Sequence, residues 1–183
     1  MKLNLMRKWR KAMNNFLKDK DFGEKVEALV ASRLGLIHNK TDCDDHGIDV
    51  TDKTGKFKAD VKAHQKPRVV SKFEGVYLET YQKNSKKPGW LFDDKKQNNF
   101  YIFAIDCESD GSSYDRLYIV NRELLQQVVR TFEEFGKVKV KEGPYIWDID
   151  LKKVEYKTTT GYIFPYLILE VLDVRNYHKV EIM

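Results

Sequence analysis

The strongest constraint on the fold of this chain is a regular alternation of apolar and polar residues between Gly47 and Lys62, in the sequence GIDVTDKTGKFKADVK. Apolar residues occupy every second position on both sides of the segment Asp52–Gly55, whose composition is typical of a tight turn. A period of two is the signature of a half-buried strand rather than of a helix. The pattern therefore predicts a β-hairpin with one apolar and one polar face.

The polar face of this hairpin carries two aspartates and a lysine. Because side chains of a strand alternate between faces, Asp60 and Lys62 must point the same way while Val61 points into the core. Asp49 joins them only if the two strands pair symmetrically about the turn, since a slip of one residue would move it to the other face. Asp44, Asp45 and Asp52 compete with Asp49 for its role, but only Asp49 lies within the alternating apolar pattern.

Two carboxylates that converge on one point repel each other unless a cation lies between them. Mg²⁺ is a hard ion that prefers oxygen ligands, so it is the expected cation, with Mn²⁺ as a substitute. A lysine beside such an ion can orient a water molecule and stabilise negative charge on a phosphate. The chemistry that uses all three side chains together is phosphodiester hydrolysis; the alternative is a solvent-facing strand with alternating charges.

The sequence before the hairpin predicts two helices. The sequence after it predicts several strands and one helix. Leu5–Lys18 is a basic helix, and Phe22–Leu34 is a second helix with Asp21 as its N-cap and Gly35 as its end. The later elements are strands at Val76–Tyr81, Asn99–Asp106 and Arg116–Val120, a helix capped by Asn121 that runs to Phe135, and an extended tail from Val138 that includes YIFPYLIL. This order predicts an α/β or α+β fold with a central mixed β-sheet flanked by helices.

Length and composition predict one soluble domain. The 183 residues are enough for a single core, and we expect one domain over 1–183, with a basic N-terminal helix at 1–20, a core at 21–120, and a helix and strands at 121–183. The chain has no apolar run of the roughly 20 residues that a membrane span needs. We therefore expect no membrane association and a cytoplasmic location.

The net charge of +5 is modest, but the lysines and arginines are clustered. A clustered positive surface favours a polyanionic partner over a small neutral ligand, although a surface rich in lysine for solubility alone is the alternative. Candidates for contacts with backbone phosphates lie beyond the hairpin and in the segment QKNSKKPGW: Lys66, Arg68, Lys72, Lys86 and Lys87. Trp90 either stacks on an unpaired base or packs over the edge of the sheet.

These residues carry a resemblance to a known family. The arrangement D(x10)D-x-K across a hairpin, preceded by a helix with an inward acidic residue, resembles the PD-(D/E)XK nuclease superfamily over about 22–120. The proline of the family motif is absent here, since Ile48 precedes Asp49, and Asp60 stands where glutamate is commoner. The resemblance implies a restriction-endonuclease-like core and a Mg²⁺-dependent DNA endonuclease, of phage type or similar to Holliday-junction resolvases.

The resemblance also implies roles for individual residues. Asp49, Asp60 and an acidic residue on the first core helix would hold the metal ion; Glu27 matches the helical position best, and Glu24, one turn earlier, is the alternative. Lys62 would be catalytic, and Glu79 on the next strand would lie beside the centre, its alternative being a cross-strand partner of a lysine. The implied partner is duplex or branched DNA, with a homodimer that cuts both strands. The alternative function is a catalytically inactive nuclease fold that binds nucleic acid or protein.

Overall fold

The computed structural model describes residues 2–39, 46–66, 75–176 and 180–183, with side chains described from Lys18 onward. Over these ranges the protein is a mixed α+β fold, which confirms the predicted fold class. The elements in chain order are α1 (Lys2–Leu34), β1 (Ile37–His38), β2 (Val50–Thr51), β3 (Lys58–Gln65), β4 (Gly75–Gln82), β5 (Lys87–Pro88), β6 (Phe100–Cys107), β7 (Arg116–Asn121), α2 (Arg122–Phe135), β8 (Val138–Glu142), β9 (Tyr145–Ile149), β10 (Lys152–Glu155), β11 (Thr159–Pro165), α3 (Tyr166–Leu172) and β12 (Val180–Ile182).

The first sheet has the strand order β1-β2-β3-β6-β7 and contains the predicted hairpin. β2 and β3 pair antiparallel with Val50 opposite Ala59, the register expected from symmetric pairing about the turn. The turn is held by Asp52, whose carboxylate accepts hydrogen bonds from the backbone N–H of Phe57 and the hydroxyl of Thr54. β3 then pairs parallel with β6, so the sheet is mixed, as predicted.

Helix α1 is continuous where the sequence predicted two helices. The prediction ended the first helix at Lys18 and began the second at Phe22, and this break is wrong because α1 runs through the region without interruption. Ion pairs one turn apart cross the predicted break: Lys20 lies 3.7 Å from Glu24, and Lys25 lies 2.8 Å from Asp21. Such pairs stabilise a helix, and Asp21 is therefore an interior partner of Lys25 rather than an N-cap.

The C-terminal end of α1 is the one that the sequence predicted. Gly35 adopts a left-handed conformation with φ of 66°, and the N–H of Leu36 donates to the carbonyl of Ala31 at 2.8 Å. This is the hydrogen-bond pattern of a glycine-terminated helix. It turns the chain directly into β1.

Two further sheets complete the β-structure of the described ranges. The second sheet is antiparallel with the order β10-β11-β4-β5, and the third sheet has the order β12-β8-β9. Helix α2 begins where predicted, because the side chain of Asn121 accepts a hydrogen bond from the N–H of Leu124. No helix in these ranges combines the length and the apolar composition that a membrane crossing would require.

The extended tail was predicted wrongly after Pro165. The apolar run YIFPYLIL divides at the proline: β11 ends there, and Tyr166–Leu172 form α3. A continuous apolar run does not distinguish a buried strand from a buried helix. Here Ile168 and Leu172, one helical turn apart, are both buried, which shows the helical spacing.

The first sheet separates two hydrophobic clusters. α1 packs on one face through Val26 and Val30, against Ala59 and Val61 of β3. The other face carries Tyr101 and Phe103 of β6, which pack with α2, α3 and the second sheet. Because β3 alternates, Asp60 and Lys62 point toward the second cluster, away from α1.

Gly161 tests the packing of the second sheet. A Cβ added there would lie 2.0 Å from the backbone oxygen of Leu78, so Gly161→Ala forces two strands apart, and we expect a loss of about 1–3 kcal/mol. Gly23→Ala is the matched control, since its Cβ meets only Glu27 Oε1 at 3.6 Å within α1 and should add up to about 1 kcal/mol. Thermal unfolding measures the change in stability of each variant. Equal Tm values for the two variants would contradict the packing described.

Candidate active site

Asp49 immediately precedes β2 and lies where the pairing of β2 with β3 ends. Its N–H donates to the carbonyl of Ala59 at 2.9 Å, and its Oδ2 accepts a hydrogen bond from the backbone N–H of Val61 at 2.7 Å. The carboxylate thus satisfies a strand N–H that a further residue of β2 would otherwise bind. This hydrogen bond fixes Asp49 beside the residue that precedes Val61, which is Asp60.

Asp60 and Lys62 form an ion pair on β3. Asp60 is only 2% exposed, and its Oδ1 lies 2.6 Å from the Nζ of Lys62. Its other oxygen, Oδ2, is buried and has no hydrogen-bond partner. A buried carboxylate oxygen without a partner is costly, so the site holds an acceptor that is ready for a donor or a cation.

The electrostatic environment favours the neutral form of Asp49 and the charged form of Lys62. Burial, then the charge of Asp60, then that of Glu27 raise the pKa of Asp49 to about 8. Burial lowers the pKa of Lys62, but the ion pair with Asp60 outweighs burial, and the pKa stays above its ordinary value. At neutral pH Lys62 is therefore protonated and Asp49 is largely neutral. The centre contains more acidic than basic side chains.

Trp90 lies inside this cluster rather than at a loop tip. The Nζ of Lys62 is 5.0 Å from the centre of its ring, and the ring meets that of Tyr101 edge-on at 4.9 Å. The hydroxyl of Tyr101 donates to the backbone oxygen of Trp90 at 2.9 Å. Because Tyr101 is the parallel-strand partner of Asp60, these contacts hold Trp90 against the ion pair. Stacking of Trp90 on a base stays a prediction.

Glu27 approaches the centre from the α1 side of the sheet. Its Oε2 lies 3.2 Å from the Nε2 of His38, and its charge contributes to the raised pKa of Asp49. Glu24, the alternative, is 59% exposed and lies 3.7 Å from Lys20. The structure thus places Glu27, not Glu24, near Asp49, although α1 packs on the face opposite to Asp60.

His38 is a residue that sequence reasoning missed. It reaches Glu27 because β1 pairs with β2, with His38 opposite Val50 on the α1 side of the sheet. β1 has only two residues, so no alternation marks it as a strand. The one available signal was its place between the end of α1 and the hairpin.

Glu79 lies on the second sheet, away from the aspartates. Its Oε1 accepts a hydrogen bond from Gln82 at 3.0 Å, and it lies opposite Gly161 on β11. Val76 and Leu78 on the same strand are buried in the core, so alternation directs Glu79 to the outer face. Among the contacts of the described residues, none joins Glu79 to Asp49, Asp60 or Lys62.

The basic residues predicted to bind phosphates have different surroundings. Lys66 is shared between Glu108 at 2.9 Å and Asp115 at 3.1 Å, which offsets its charge. Lys86 and Lys87 are exposed in and after the turn that follows β4. Arg68 and Lys72 lie outside the described residues, as do Asp44 and Asp45, the competitors of Asp49.

His64 follows Lys62 on the same face of β3. Burial and the nearby charge of Lys62 lower the pKa of His64 to about 4, so its ring is neutral at pH 7. Lys62 is thus the cationic member of this row of side chains.

The carboxylate oxygens of this centre are the type of ligand atom that a hard cation prefers. Within the described ranges, no group of three or more histidine, cysteine, aspartate and glutamate side chains is arranged to hold a metal ion. Asp49 and Asp60 nevertheless supply carboxylate oxygens, one of them buried and unpaired, and their mutual repulsion is what a divalent ion would relieve. Glu27 adds negative charge from the α1 side.

Comparison of the chain with family models, with curated proteins and with solved structures found no match. The resemblance to the PD-(D/E)XK superfamily therefore rests on the residues of the hairpin and of α1 alone.

The pH dependence of stability tests the environment of Asp49. A carboxyl whose pKa rises from 3.8 to about 8 on folding stabilises the protein fully below pH 4 and loses that contribution as pH rises through 8. Asp49→Asn keeps an acceptor for the Val61 N–H but does not ionise. We expect the Tm of the variant to match wild type near pH 4 and to exceed it by several degrees at pH 9.

Thermal scans from pH 4 to pH 9 measure this difference. Asp52→Asn is the matched control, because the pKa of Asp52 is lowered by its hydrogen bonds to Thr54 and Phe57. A Tm difference between Asp49→Asn and wild type that stays constant over this range would contradict the assigned environment.

Proposed function

We propose that this chain is a metal-dependent DNA endonuclease that hydrolyses phosphodiester bonds, with a core of the PD-(D/E)XK type. The observation that carries the proposal is the buried Asp60, which pairs with Lys62 through one oxygen and has no partner for the other, directly beside Asp49. The mixed sheet with α1 packed on one face supports the restriction-endonuclease-like core.

Lys62 has the properties of an electrostatic stabiliser. Its raised pKa keeps it protonated at neutral pH, so it is suited to stabilise negative charge on a phosphate or on the attacking oxygen, and not to accept a proton. Trp90 and Asp60 fix the position of its ammonium group from two sides. Fixed donors of this kind need no reorganisation during the reaction.

Asp49 and Asp60 would hold Mg²⁺ or Mn²⁺, with Glu27 contributing from α1. When bound, such an ion polarises the phosphate and lowers the pKa of the attacking water. Asp49 has to give up its proton to serve as a ligand, because its pKa of about 8 leaves it largely neutral at pH 7. The exposed Lys86 and Lys87 supply positive charge for the DNA backbone.

One observation favours a second candidate function, a catalytically inactive module that binds nucleic acid or protein. In the described ranges the acidic groups do not form a three-donor group, and Glu27 and Asp60 are each engaged by a basic side chain. A module of this kind would keep its basic surface without using the carboxylates.

Substitutions at the ion pair separate these two functions. We expect Asp60→Asn and Lys62→Met each to lower Mg²⁺-dependent cleavage by at least about 10²–10³-fold, since each removes a charge from the centre. Each also leaves one buried charge unpaired and should lower the Tm. The double variant removes both charges and should recover stability without recovering cleavage.

The assay uses supercoiled plasmid, linear duplex, single-stranded DNA and a four-way junction, with Mg²⁺, Mn²⁺ or EDTA. Lys53→Met, in the exposed turn of the hairpin, is the matched control and should cleave like wild type. Cleavage that persists in the double variant would reject the nuclease assignment. Binding of DNA without cleavage by the wild type would favour the inactive module.

A further inference from the structure

The outer face of the second sheet is distinct from the candidate active site. Along β4 and β11 the buried residues Val76, Leu78, Tyr162 and Phe164 point into the core, so their neighbours point outward. We call this surface the outer face and define it by Tyr77, Glu79, Lys87, Lys152, Tyr156 and Ile163. Its side chains are half-buried or exposed.

Two tyrosines form the centre of the outer face. The rings of Tyr77 and Tyr156 meet edge-on with centroids 4.9 Å apart, and Tyr156 is 51% exposed. Tyr77 lies against Gly161, where an added Cβ would be 2.8 Å from its Cε2, and its hydroxyl contacts Thr159 at 3.0 Å. The sheet thus fixes Tyr77, and Tyr77 supports the more exposed ring of Tyr156.

Positive charge borders these rings on both edges of the sheet. Lys87 of β5 lies opposite Gln82, and Lys152 of β10 lies opposite Ile163, so the two lysines flank the tyrosines. On the outer face itself these two lysines outnumber the one acid, Glu79, whose carboxylate accepts a hydrogen bond from Gln82 at 3.0 Å. The surface therefore suits an anionic partner.

Aromatic rings on a sheet that is bordered by lysines are the features that recognise unpaired nucleotides. Bases stack on the rings, while the phosphates between them contact the positive side chains. A duplex does not present base faces in this way, because its bases are stacked on each other. The outer face therefore fits a single strand better than a double helix.

The outer face leads along the chain to the candidate active site. β5 continues into Gly89, whose N–H donates to the carbonyl of Thr80 at 2.9 Å, and the next residue is Trp90, which contacts Lys62. A Cβ on Gly89 would lie 2.5 Å from the backbone oxygen of Glu79, so this segment runs close along β4. A nucleic-acid strand bound at Lys87 would thus contact a residue only three positions before Trp90, whose ring contacts Lys62.

We propose that the outer face binds single-stranded nucleic acid by stacking on Tyr156, and that it selects substrates with an unpaired segment. The selection of substrates rests on the proposed nuclease function, whereas the binding of a single strand does not. Binding at this face is a property that can be measured without cleavage.

The test is fluorescence anisotropy of labelled dT20 and rU20 with the full chain in EDTA. Loss of one stacked base costs about 1–3 kcal/mol, so Tyr156→Ala should raise Kd roughly tenfold, while Tyr156→Phe, which keeps the ring, should bind like wild type. Lys87→Ala should weaken binding and reduce its salt dependence. Tyr145→Ala, on β9 of the third sheet and 65% exposed in the wild type, is the matched control.

Each outcome decides the proposal. Tighter binding of dT20 or of rU20 identifies the sugar that the face prefers, and either result supports it if Tyr156→Ala weakens that binding. No binding of either strand, or equal effects of Tyr156→Ala and Tyr145→Ala, would overturn it. Duplex cleavage by a wild-type protein that binds neither single strand would reject the outer face alone, whereas the Asp60 and Lys62 variants test the nuclease separately.

Discussion

The burial of the Asp60 carboxylate in the interior determines how the neighbouring elements are arranged. Asp60 lies on the central strand β3, where the sheet shields it from water, and its charge is stabilised by Lys62 two residues later. The pair requires a polar environment on a face that otherwise packs as a hydrophobic core. Trp90 and Tyr101 meet this requirement, since each offers a large apolar surface together with a polar or π contact.

The same charge explains why the neighbouring elements lie where they do. Asp49 ends the pairing of β2 with β3 by binding the N–H of Val61, and this brings a second acid against Asp60. Burial, then the charge of Asp60, then the charge of Glu27 on the other side of the sheet raise the pKa of Asp49. A site that gathers acidic groups in the interior, with Asp49 largely protonated and one oxygen of Asp60 unpaired, is poised to exchange a proton for a cation, which is why we favour catalysis over a passive scaffold.

Local patterns predicted the hairpin well because its register follows from alternation and a four-residue turn, both of which are visible in the sequence. The helix break at Asp21 was predicted wrongly because Asp21 followed three residues later by Glu24 matches a capping box, whereas Asp21 in fact pairs with Lys25, one turn ahead inside α1. Glu79 could not be placed from sequence, since its face depends on which sheet β4 joins. The contact of His38 with Glu27 likewise depends on pairing between short, distant segments.

Binding of Mg²⁺ to the resting protein is the decisive test of a cation site at Asp49 and Asp60. Isothermal titration at pH 7 in buffers of different ionisation enthalpy counts the protons released per ion, and ligation by a carboxyl with a pKa of about 8 must release its proton. We expect release of close to one proton by the wild type and none by Asp49→Asn. Binding without proton release, or no binding at millimolar Mg²⁺, would contradict a cation site built on Asp49 and Asp60.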